Sequence, residues 1–231
     1  MIPLRDSIRS RRFPAVTVAL IAANLLVFLY EIALPRPVLA ELFLRFGLVP
    51  RAVTEGLPMT MVAGLVPVPV PLLTSIFLHG GWLHVLGNML YLWVFGDNVE
   101  DRLGRLGFLV LYLAAGVAGN MSHVLANPQS PVPTIGASGA VAGVLGAYFI
   151  SFPRARVLAL VPLGIFLHVA EVPAVLFLVL WFVLQLVNGV GQLGVPSQVS
   201  AGVAWWAHVG GFAAGFALLL LLRPGRRSYL R

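Results

Sequence analysis

Residues 106–153 read LGFLVLYLAAGVAGNMSHVLANPQSPVPTIGASGAVAGVLGAYFISFP, and none of these 48 residues is Asp, Glu, Lys or Arg. Further uncharged runs cover 18 residues at 13–30, 41 at 56–96 and 51 at 172–222. A helix that crosses a bilayer needs roughly 20 predominantly apolar residues. The runs at 106–153 and 172–222 therefore each have room for two spans. The runs at 13–30 and 56–96 have room for one each. The sequence predicts an all-α protein that crosses the membrane several times.

The overall composition excludes a soluble domain. Hydrophobic residues make up 59% of the 231 residues and charged residues 10%, whereas a soluble domain is about 45–50% apolar and about 25% charged. The net charge of +7 comes from 15 Arg without any Lys. Because these arginines cluster at span ends, they indicate membrane topology and not a nucleic-acid partner. The absence of Cys excludes a disulfide scaffold, a thiolate metal site and a cysteine nucleophile.

Proline, glycine and charge positions divide the uncharged runs into six predicted transmembrane helices, at 14–34, 80–97, 105–125, 135–152, 172–189 and 203–222. The predicted connections are 35–72, 154–170 and 189–200. The first contains a short amphipathic helix at Leu39–Phe46, which is expected to lie in the membrane interface. A cleaved signal peptide is the alternative for the first segment. Its apolar stretch exceeds the roughly 7–15 residues of a signal sequence, which favours a retained span.

The arginine positions predict the orientation of the chain. Twelve of the 15 lie at the N-terminus, in the turns near 98–105 and 153–156, and at the C-terminus, which all fall on one side. The other three lie in the 35–72 connection. Cytoplasmic segments carry an excess of Lys and Arg. We therefore expect both termini in the cytoplasm, which agrees with an even number of spans.

Four polar side chains from three predicted spans share one depth. His84 and Asn88 lie in the outer half of the second span, Ser138 near the outer end of the fourth and His208 near the outer end of the sixth. At about 1.5 Å per residue, each lies roughly 5–12 Å below the start of its helix. His84 and Asn88 are four residues apart and so share one helix face. The sequence therefore predicts one polar cluster built from three helices.

The flanks of Ser138 and His208 contain glycine pairs spaced four residues apart, Gly139 with Gly143 and Gly211 with Gly215. Such small residues let helix backbones approach closely in lipid, and packing through them would bring Ser138 and His208 together. A serine needs a general base within hydrogen-bond reach to act as a nucleophile, and His and Asn side chains can stabilise a developing oxyanion. The alternative is that these polar groups hold helices together or line a pore.

A catalytic zinc site and a pair of catalytic aspartates do not fit the sequence. The His-Glu-x-x-His pattern of a zinc protease is absent, and we expect no metal site. An aspartyl protease needs two Asp deep within spans. The three Asp residues of the chain are Asp6, Asp97 and Asp101, and none of them lies deep in a predicted span. His123 and His168 are predicted at loops or the interface. Glu100, Asp101 and Arg102 are predicted to cap or pair at the cytoplasmic turn.

Four segments resemble the motifs of a known family. Thr134–Gly143 (TIGASGAVAG) resembles the Gly-x-Ser-Gly motif of rhomboid intramembrane serine proteases, and Ala207–Gly211 (AHVGG) resembles the histidine motif of their sixth span. His79–Asn88 (HGGWLHVLGN) is similar to their His-x-x-x-Asn segment, and Phe95–Gly104 (FGDNVEDRLG) extends the likeness beyond the second span. The motifs occur in the family's order, and the resemblance covers nearly the whole chain as one domain over 1–231.

The resemblance implies a six-helix rhomboid-like bundle with a water-filled cavity that opens to the outside. It implies that Ser138 is the nucleophile and His208 the general base, a dyad without a third carboxylate. His84, Asn88 and the backbone N–H of Ser138 would form the oxyanion hole. The family cleaves transmembrane segments of other membrane proteins and needs no cofactor or metal, so the expected partners are transmembrane protein substrates within the lipid bilayer.

The resemblance also implies a lateral gate formed by the fifth span, where Phe177 and Trp181 are the gate candidates. The short termini favour a bacterial plasma (inner) membrane over an organelle. Two alternatives to a serine endopeptidase stay open. A rhomboid-like protein can bind membrane clients without cutting them, but such proteins usually lack the Ser or the His. A small transporter or channel is disfavoured because no predicted span has a central charged residue.

Two departures from the family pattern concern the dyad and the first loop. Some members carry an aromatic residue four positions after the nucleophile, beneath the histidine ring, where this chain has Ala142. Trp205, Trp206 or a residue from another span is therefore expected to hold the His208 ring. Some members also carry a Trp-Arg pair in the first loop, and 35–72 has none.

Overall fold

The computed structural model describes residues 1–56, 69–163, 166–193 and 203–222. Within these ranges the chain is predominantly helical, with one small sheet. The elements run in the order β1 (Ile2–Asp6), α1 (Ala15–Ala33), α2 (Arg36–Phe46), α3 (Pro50–Thr54), α4 (Pro69–Thr74), a 3₁₀ turn (Ser75–Phe77), α5 (Trp82–Leu103), α6 (Arg105–Ala126), α7 (Ser138–Ser151), β2 (Arg156–Leu163), β3 (Phe166–Pro173), α8 (Ala174–Gly191) and α9 (Trp205–Leu222).

Helices occupy all six predicted transmembrane segments, but not all of them reach the length of a span. Among the described residues, α1, α6, α8 and α9 are long and apolar enough to cross a membrane. Helix α5 meets that test together with the segment Pro69–Phe77, from which it is bent by 90°. Helix α7 is apolar but has only 14 residues. The structure thus supports four or five spans, and the count of six stays a prediction.

Helix α7 forms the centre of the bundle. Its residues from Gly139 to Tyr148 are all buried, and it packs against α5, α6 and α9. A Cβ atom added to Gly211 of α9 would overlap the carbonyl oxygen of Gly139, and one added to Gly215 would overlap that of Gly143. The two backbones therefore touch directly, as the small-residue spacing predicted.

A buried carboxylate fixes the start of α1 to the far end of α5. Glu100 accepts hydrogen bonds from the backbone N–H of Val16 (3.0 Å) and from both the backbone N–H (2.8 Å) and hydroxyl (2.8 Å) of Thr17. The first N–H groups of a helix have no partner within the helix, and a negative charge there is favoured by the helix dipole. Glu100 therefore caps α1 from another helix, the role that its position at a turn suggested.

The sheet is the part of the fold that the sequence analysis missed. Strands β1, β2 and β3 form one antiparallel sheet in that order, so the prediction of an all-α chain was wrong for these residues. The connection predicted at 154–170 is largely the β2–β3 hairpin. Its apolar residues face the bundle on one side, where Val157 and Ala159 are fully buried. Pairing with β1 joins segments about 150 residues apart, which no local pattern reveals.

Asp6 anchors the sheet to the helical bundle. Its carboxylate accepts hydrogen bonds from the Tyr148 hydroxyl (2.5 Å) and from Asn98 Nδ2 (2.9 Å). Burial raises the pKa of Asp6 to about 6, and the nearby charge of Asp97 acts in the same direction, while the Tyr148 hydrogen bond opposes it. The anchor therefore binds a proton more tightly in the folded protein than in the unfolded chain.

Several predicted features lie wholly or partly outside the described residues. The connection at 35–72 is described up to 56 and from 69, and it contains α2, which covers the predicted amphipathic segment Leu39–Phe46. The loop at 189–200 is described only to 193, and the C-terminal arginines lie beyond 222. The orientation with both termini in the cytoplasm stays a prediction.

Candidate active site

Ser138, His208, His84 and Asn88 line one cavity. Its volume is about 980 Å³, and its wall also includes His123, Asn127, Ser130 and Thr134. The wall is contributed by α5, α6, α7, α8 and α9, together with the loop before α7. The four residues predicted to share one depth therefore face a common space that is large enough for water and a peptide segment.

Ser138 is the first residue of α7. Its N–H is therefore one of the N–H groups in the first turn that have no partner within the helix. The chain enters the helix through Gly136, whose φ of 126° is a conformation that residues with side chains rarely adopt. The N–H of Gly136 donates to the Ser75 carbonyl (2.8 Å), which ties this loop to the 3₁₀ turn. The turn thus presents Ser138 at a helix N-terminus, a position that favours negative charge.

The contact between α7 and α9 brings Ser138 near His208. A Cβ atom on Gly139 would lie 3.4 Å from the carbonyl oxygen of Ala207. Ser138 and His208 are the residues next to these two in the chain, and both side chains are partly exposed to the cavity. The glycines of the α7–α9 contact therefore let the two helices approach closely beside Ser138 and His208.

His84 and Asn88 approach the same loop from α5. They lie one turn apart near the start of that helix. A Cβ atom on Gly136 would lie 2.5 Å from His84 Nε2 and 3.8 Å from Asn88 Nδ2. Two side-chain donors therefore lie beside the backbone that leads into Ser138. A glycine is required at 136 both for its φ and because a side chain would displace the His84 ring.

Behind Asn88 lies a buried group of hydrogen-bonded residues, His79 and Glu31, that was not predicted. His79 is 1% exposed, and its Nδ1 lies 3.3 Å from the Phe77 carbonyl oxygen. A carbonyl only accepts, so Nδ1 carries the proton and Nε2 accepts from Asn88 Nδ2 at 3.1 Å. The backbone N–H of His79 donates to both oxygens of buried Glu31, each at 3.2 Å. The sequence analysis gave His79 no role beyond its place in the His79–Asn88 segment and so overlooked this contact.

His208 contacts Trp205, which the sequence analysis named as a candidate support, and two residues of another helix, which it left unspecified. Its Nδ1 lies 2.7 Å from Oε1 of Gln185 on α8. Its ring lies against Trp181 of the same helix, with centroids 5.9 Å apart and planes at 32°, and edge-on to Trp205 at 6.1 Å. Residues of α8 therefore hold the ring that Ala142 is too small to support. The sequence could have singled out Gln185, because strongly polar side chains are rare within the predicted spans.

The two gate candidates occupy different environments on α8. Phe177 is fully buried and packs its ring near Tyr91 and Phe95 of α5, with centroid distances of 6.4 Å and 6.1 Å. Trp181 lines the cavity and contacts Phe212 of α9 at 6.2 Å. Trp181 therefore borders the cavity itself, and Phe177 belongs to the packing between α8 and α5.

The remaining histidines separate into one at the cavity and one at the surface. His123 lies in the last turn of α6 and lines the cavity, whereas His168 is exposed on β3. Within the residues described, no group of three or more His, Asp or Glu side chains is placed to hold a metal ion. His123 is thus a polar wall residue that the sequence analysis had placed at a loop or interface.

Comparison with known proteins gives the same family as the motifs. Residues 69–225 match the family model described as Rhomboid domain. RHOMBOID-like protein 5 of Arabidopsis thaliana is 34% identical over 155 residues, which are 66% of this chain and 44% of that protein. Rhomboid protease GluP of Bacillus subtilis is 47% identical over 76 residues, or 33% of this chain and 14% of that protein. Rhomboid protein 1, mitochondrial, of Saccharomyces cerevisiae is 36% identical over 96 residues, or 40% and 28%.

The aligned stretches span less than half the length of each of these relatives. The relatives come from plant, bacterial and mitochondrial sources, so they do not assign this chain to one membrane. The family model nevertheless covers about two thirds of the chain, including every residue that faces the cavity. With several apolar helices of membrane-spanning length around that cavity, the chain is a multi-pass membrane protein and belongs to the rhomboid family.

Proposed function

We propose that this protein is an intramembrane serine endopeptidase in which Ser138 and His208 form the catalytic dyad. One observation carries the proposal: Ser138, His208, His84 and Asn88 come from three helices and line a single cavity. Membership of a family of intramembrane proteases supports it, and the relatives named as proteases include GluP and YdcA of Bacillus subtilis.

The first chemical step is attack by Ser138 on the carbonyl carbon of the scissile peptide bond. His208 accepts the hydroxyl proton as the new C–O bond forms, which gives a tetrahedral intermediate. His208 then donates that proton to the leaving amine as the C–N bond breaks. Water in the cavity hydrolyses the acyl-enzyme by the same route, with His208 again as base, and the Ser138 hydroxyl is regenerated.

The negative charge on the intermediate needs fixed donors. The free N–H of Ser138 points out of the start of α7, where the helix dipole is positive, and the side chains of His84 and Asn88 lie beside Gly136. Donors that are already in place when charge develops cost no reorganisation during the reaction. We assign these three groups to the oxyanion hole.

The substrate in this proposal is a transmembrane segment of another membrane protein. A peptide bond within a stable helix has its carbonyl hydrogen-bonded, so the segment must unwind locally before Ser138 can reach it. The polar side chains that line the cavity, Asn127 and Thr134 among them, can form hydrogen bonds with that unwound backbone. With the orientation predicted from the arginines, the cavity opens toward the outer face, and a bacterial plasma membrane is the proposed location.

We further assign the substrate entrance to α8, with Trp181 and Phe177 as the gate residues. Trp181 borders the cavity, and Phe177 packs α8 against Tyr91 and Phe95 of α5. Smaller side chains at these positions would loosen α8 and speed entry of a transmembrane substrate. Trp181→Ala should therefore change KM more than Phe177→Leu does, because only Trp181 faces the cavity.

A fluorophosphonate serine-hydrolase probe tests the proposal on the purified protein in detergent. The protease predicts labelling of the wild type and loss of labelling in both Ser138→Ala and His208→Ala. A rhomboid-like protein that binds clients without cutting them, or a channel, predicts no labelling of the wild type. Equal labelling of wild type and Ser138→Ala would refute the dyad.

A further inference from the structure

The His208 ring is held by a hydrogen bond to a residue of a third helix. Gln185 lies on α8 and is 6% exposed, and its Oε1 is 2.7 Å from His208 Nδ1. A distance this short between an amide oxygen and a ring nitrogen indicates a formed hydrogen bond.

The Gln185 amide is oriented by its own helix. Its Nε2 lies 3.1 Å from the carbonyl oxygen of Trp181, one turn earlier in α8. A carbonyl accepts only, so the NH₂ end of the amide faces Trp181 and the oxygen faces His208. An amide oxygen also accepts only, which requires that Nδ1 of His208 carries the proton.

We propose that Gln185 is a positioning residue that fixes the tautomer and orientation of His208. With the proton held on Nδ1, the lone pair on Nε2 is free to accept the proton of Ser138. Trp181 helps to hold the orientation of the ring, because its own ring packs against that of His208 with the centroids 5.9 Å apart. The inference rests on the proposed Ser138–His208 dyad and adds a neutral third member to it.

The arrangement also links the base to the helix assigned as the gate. Gln185 and Trp181 both belong to α8, whereas His208 belongs to α9. The hydrogen bond at Nδ1 therefore exists only while α8 packs against α9. Displacement of α8 would free Nδ1 and let the proton move to Nε2, which gives the tautomer that cannot act as a base toward Ser138.

The direct test is the tautomer of His208, read by ¹⁵N NMR of histidine-labelled protein in detergent at pH 8. This pH lies above the ordinary histidine pKa of about 6.5. His208→Ala assigns the signal among the five histidines. We expect the wild type to carry the proton on Nδ1 and Gln185→Met to carry it on Nε2 in part or in full. A wild-type ring protonated on Nε2 overturns the proposal, whether or not any variant folds.

Kinetics on a transmembrane substrate give the second readout. A wrong histidine tautomer in a Ser-His-Asp triad costs about 10⁴ in kcat, and a mixture of tautomers costs less. We expect kcat of Gln185→Met to fall about 10- to 100-fold with KM within about twofold, and Gln185→Glu, which keeps an acceptor at the same reach, to recover most of it. Wild-type kcat in a folded Gln185→Met variant contradicts the proposal.

Asn188→Met is the matched control. Asn188 is another α8 amide, exposed, and its Nδ2 donates to the Leu184 carbonyl at 2.6 Å. Its replacement should leave both the tautomer and kcat unchanged, and a loss equal to that of Gln185→Met would assign the effect to α8 stability instead. If the wild type neither cleaves substrate nor reacts with the serine probe, the dyad fails, whereas the tautomer measurement still decides the role of Gln185.

Discussion

Asn88 Nδ2 donates a hydrogen bond to Nε2 of His79 at 3.1 Å, and this bond uses only one of the two amide hydrogens. Because His79 Nδ1 is committed to the Phe77 carbonyl, its Nε2 can only accept, so the amide is held with its NH₂ group in a fixed direction. The second hydrogen stays available to the cavity that Asn88 lines. His79 thereby orients a donor of the proposed oxyanion hole without touching the reacting atoms.

Replacing either residue of this pair should slow turnover, and Asn88 should matter more. Removal of one oxyanion donor costs about 10²–10³ in rate, and we expect this for Asn88→Ala. In His79→Ala the amide keeps its place and loses only its orientation, so we expect about a tenfold loss in kcat. His168→Ala, which alters an exposed histidine on β3, is the control. Unchanged turnover in Asn88→Ala would show that this residue only joins helices.

The α7–α9 contact should be intolerant of a single methyl group. In Gly211→Ala the new Cβ would overlap the Gly139 carbonyl oxygen, so the helices must separate next to Ser138 and His208. Overpacking of this kind costs about 1–3 kcal/mol, and we expect a lower Tm in detergent together with loss of probe labelling. Gly191→Ala should change neither, since its Cβ would meet none of the described residues within 4 Å. A Gly211→Ala protein with wild-type labelling would contradict the close contact.

Loss of the Glu100 cap should destabilise the protein without altering the site. Glu100 accepts three hydrogen bonds at the start of α1, and a hydrogen bond to a charged group contributes about 1.5–3 kcal/mol. We expect Glu100→Ala to lower the free energy of unfolding by at least about 2 kcal/mol. Glu55→Ala removes an exposed ion pair with Arg51 and should cost less than about 1 kcal/mol. Equal Tm values for the two variants would refute the cap.

Asp6 should make stability depend on pH in a direction opposite to that of most carboxylates. Its pKa rises from 3.8 to about 6 on folding, so the folded protein binds the proton more tightly and stability falls as the pH rises from about 4 to about 6. Above that range its contribution stays constant. Asp6→Asn keeps an oxygen acceptor for Tyr148 and Asn98 and should remove this fall, a difference of about 1–2 kcal/mol after allowance for partial exposure. Identical pH profiles of Tm for both proteins would contradict this.

The sequence was sufficient to predict the helical segments and the residues that line the cavity, because the patterns that indicate them lie within short stretches of the chain. Uncharged runs marked the helical segments, and glycine pairs marked the faces through which α7 and α9 pack. The positions of Ser138 and His208 followed from those faces. Their catalytic roles stay a prediction, since they depend on reactivity and not on placement.

What the sequence did not reveal depends on contacts between distant segments. The β1–β2 pairing joins Ile2 to Leu160, and neither segment alone alternates as a half-buried strand does. The bond between Gln185 and His208 depends on how α8 lies against α9. The short helix α7 and the 90° bend before α5 both lie beside the cavity, where the residues that precede each helix form part of the wall.

Cleavage of a transmembrane substrate in liposomes tests the central claim most directly. Wild-type protein is reconstituted with a single-span substrate, and the products are measured by mass spectrometry beside Ser138→Ala and a Ser151→Ala control at the other end of α7. The account predicts a new terminus within the transmembrane segment for the wild type and for Ser151→Ala, and none for Ser138→Ala. A cut at the same bond by Ser138→Ala at the wild-type rate would contradict it.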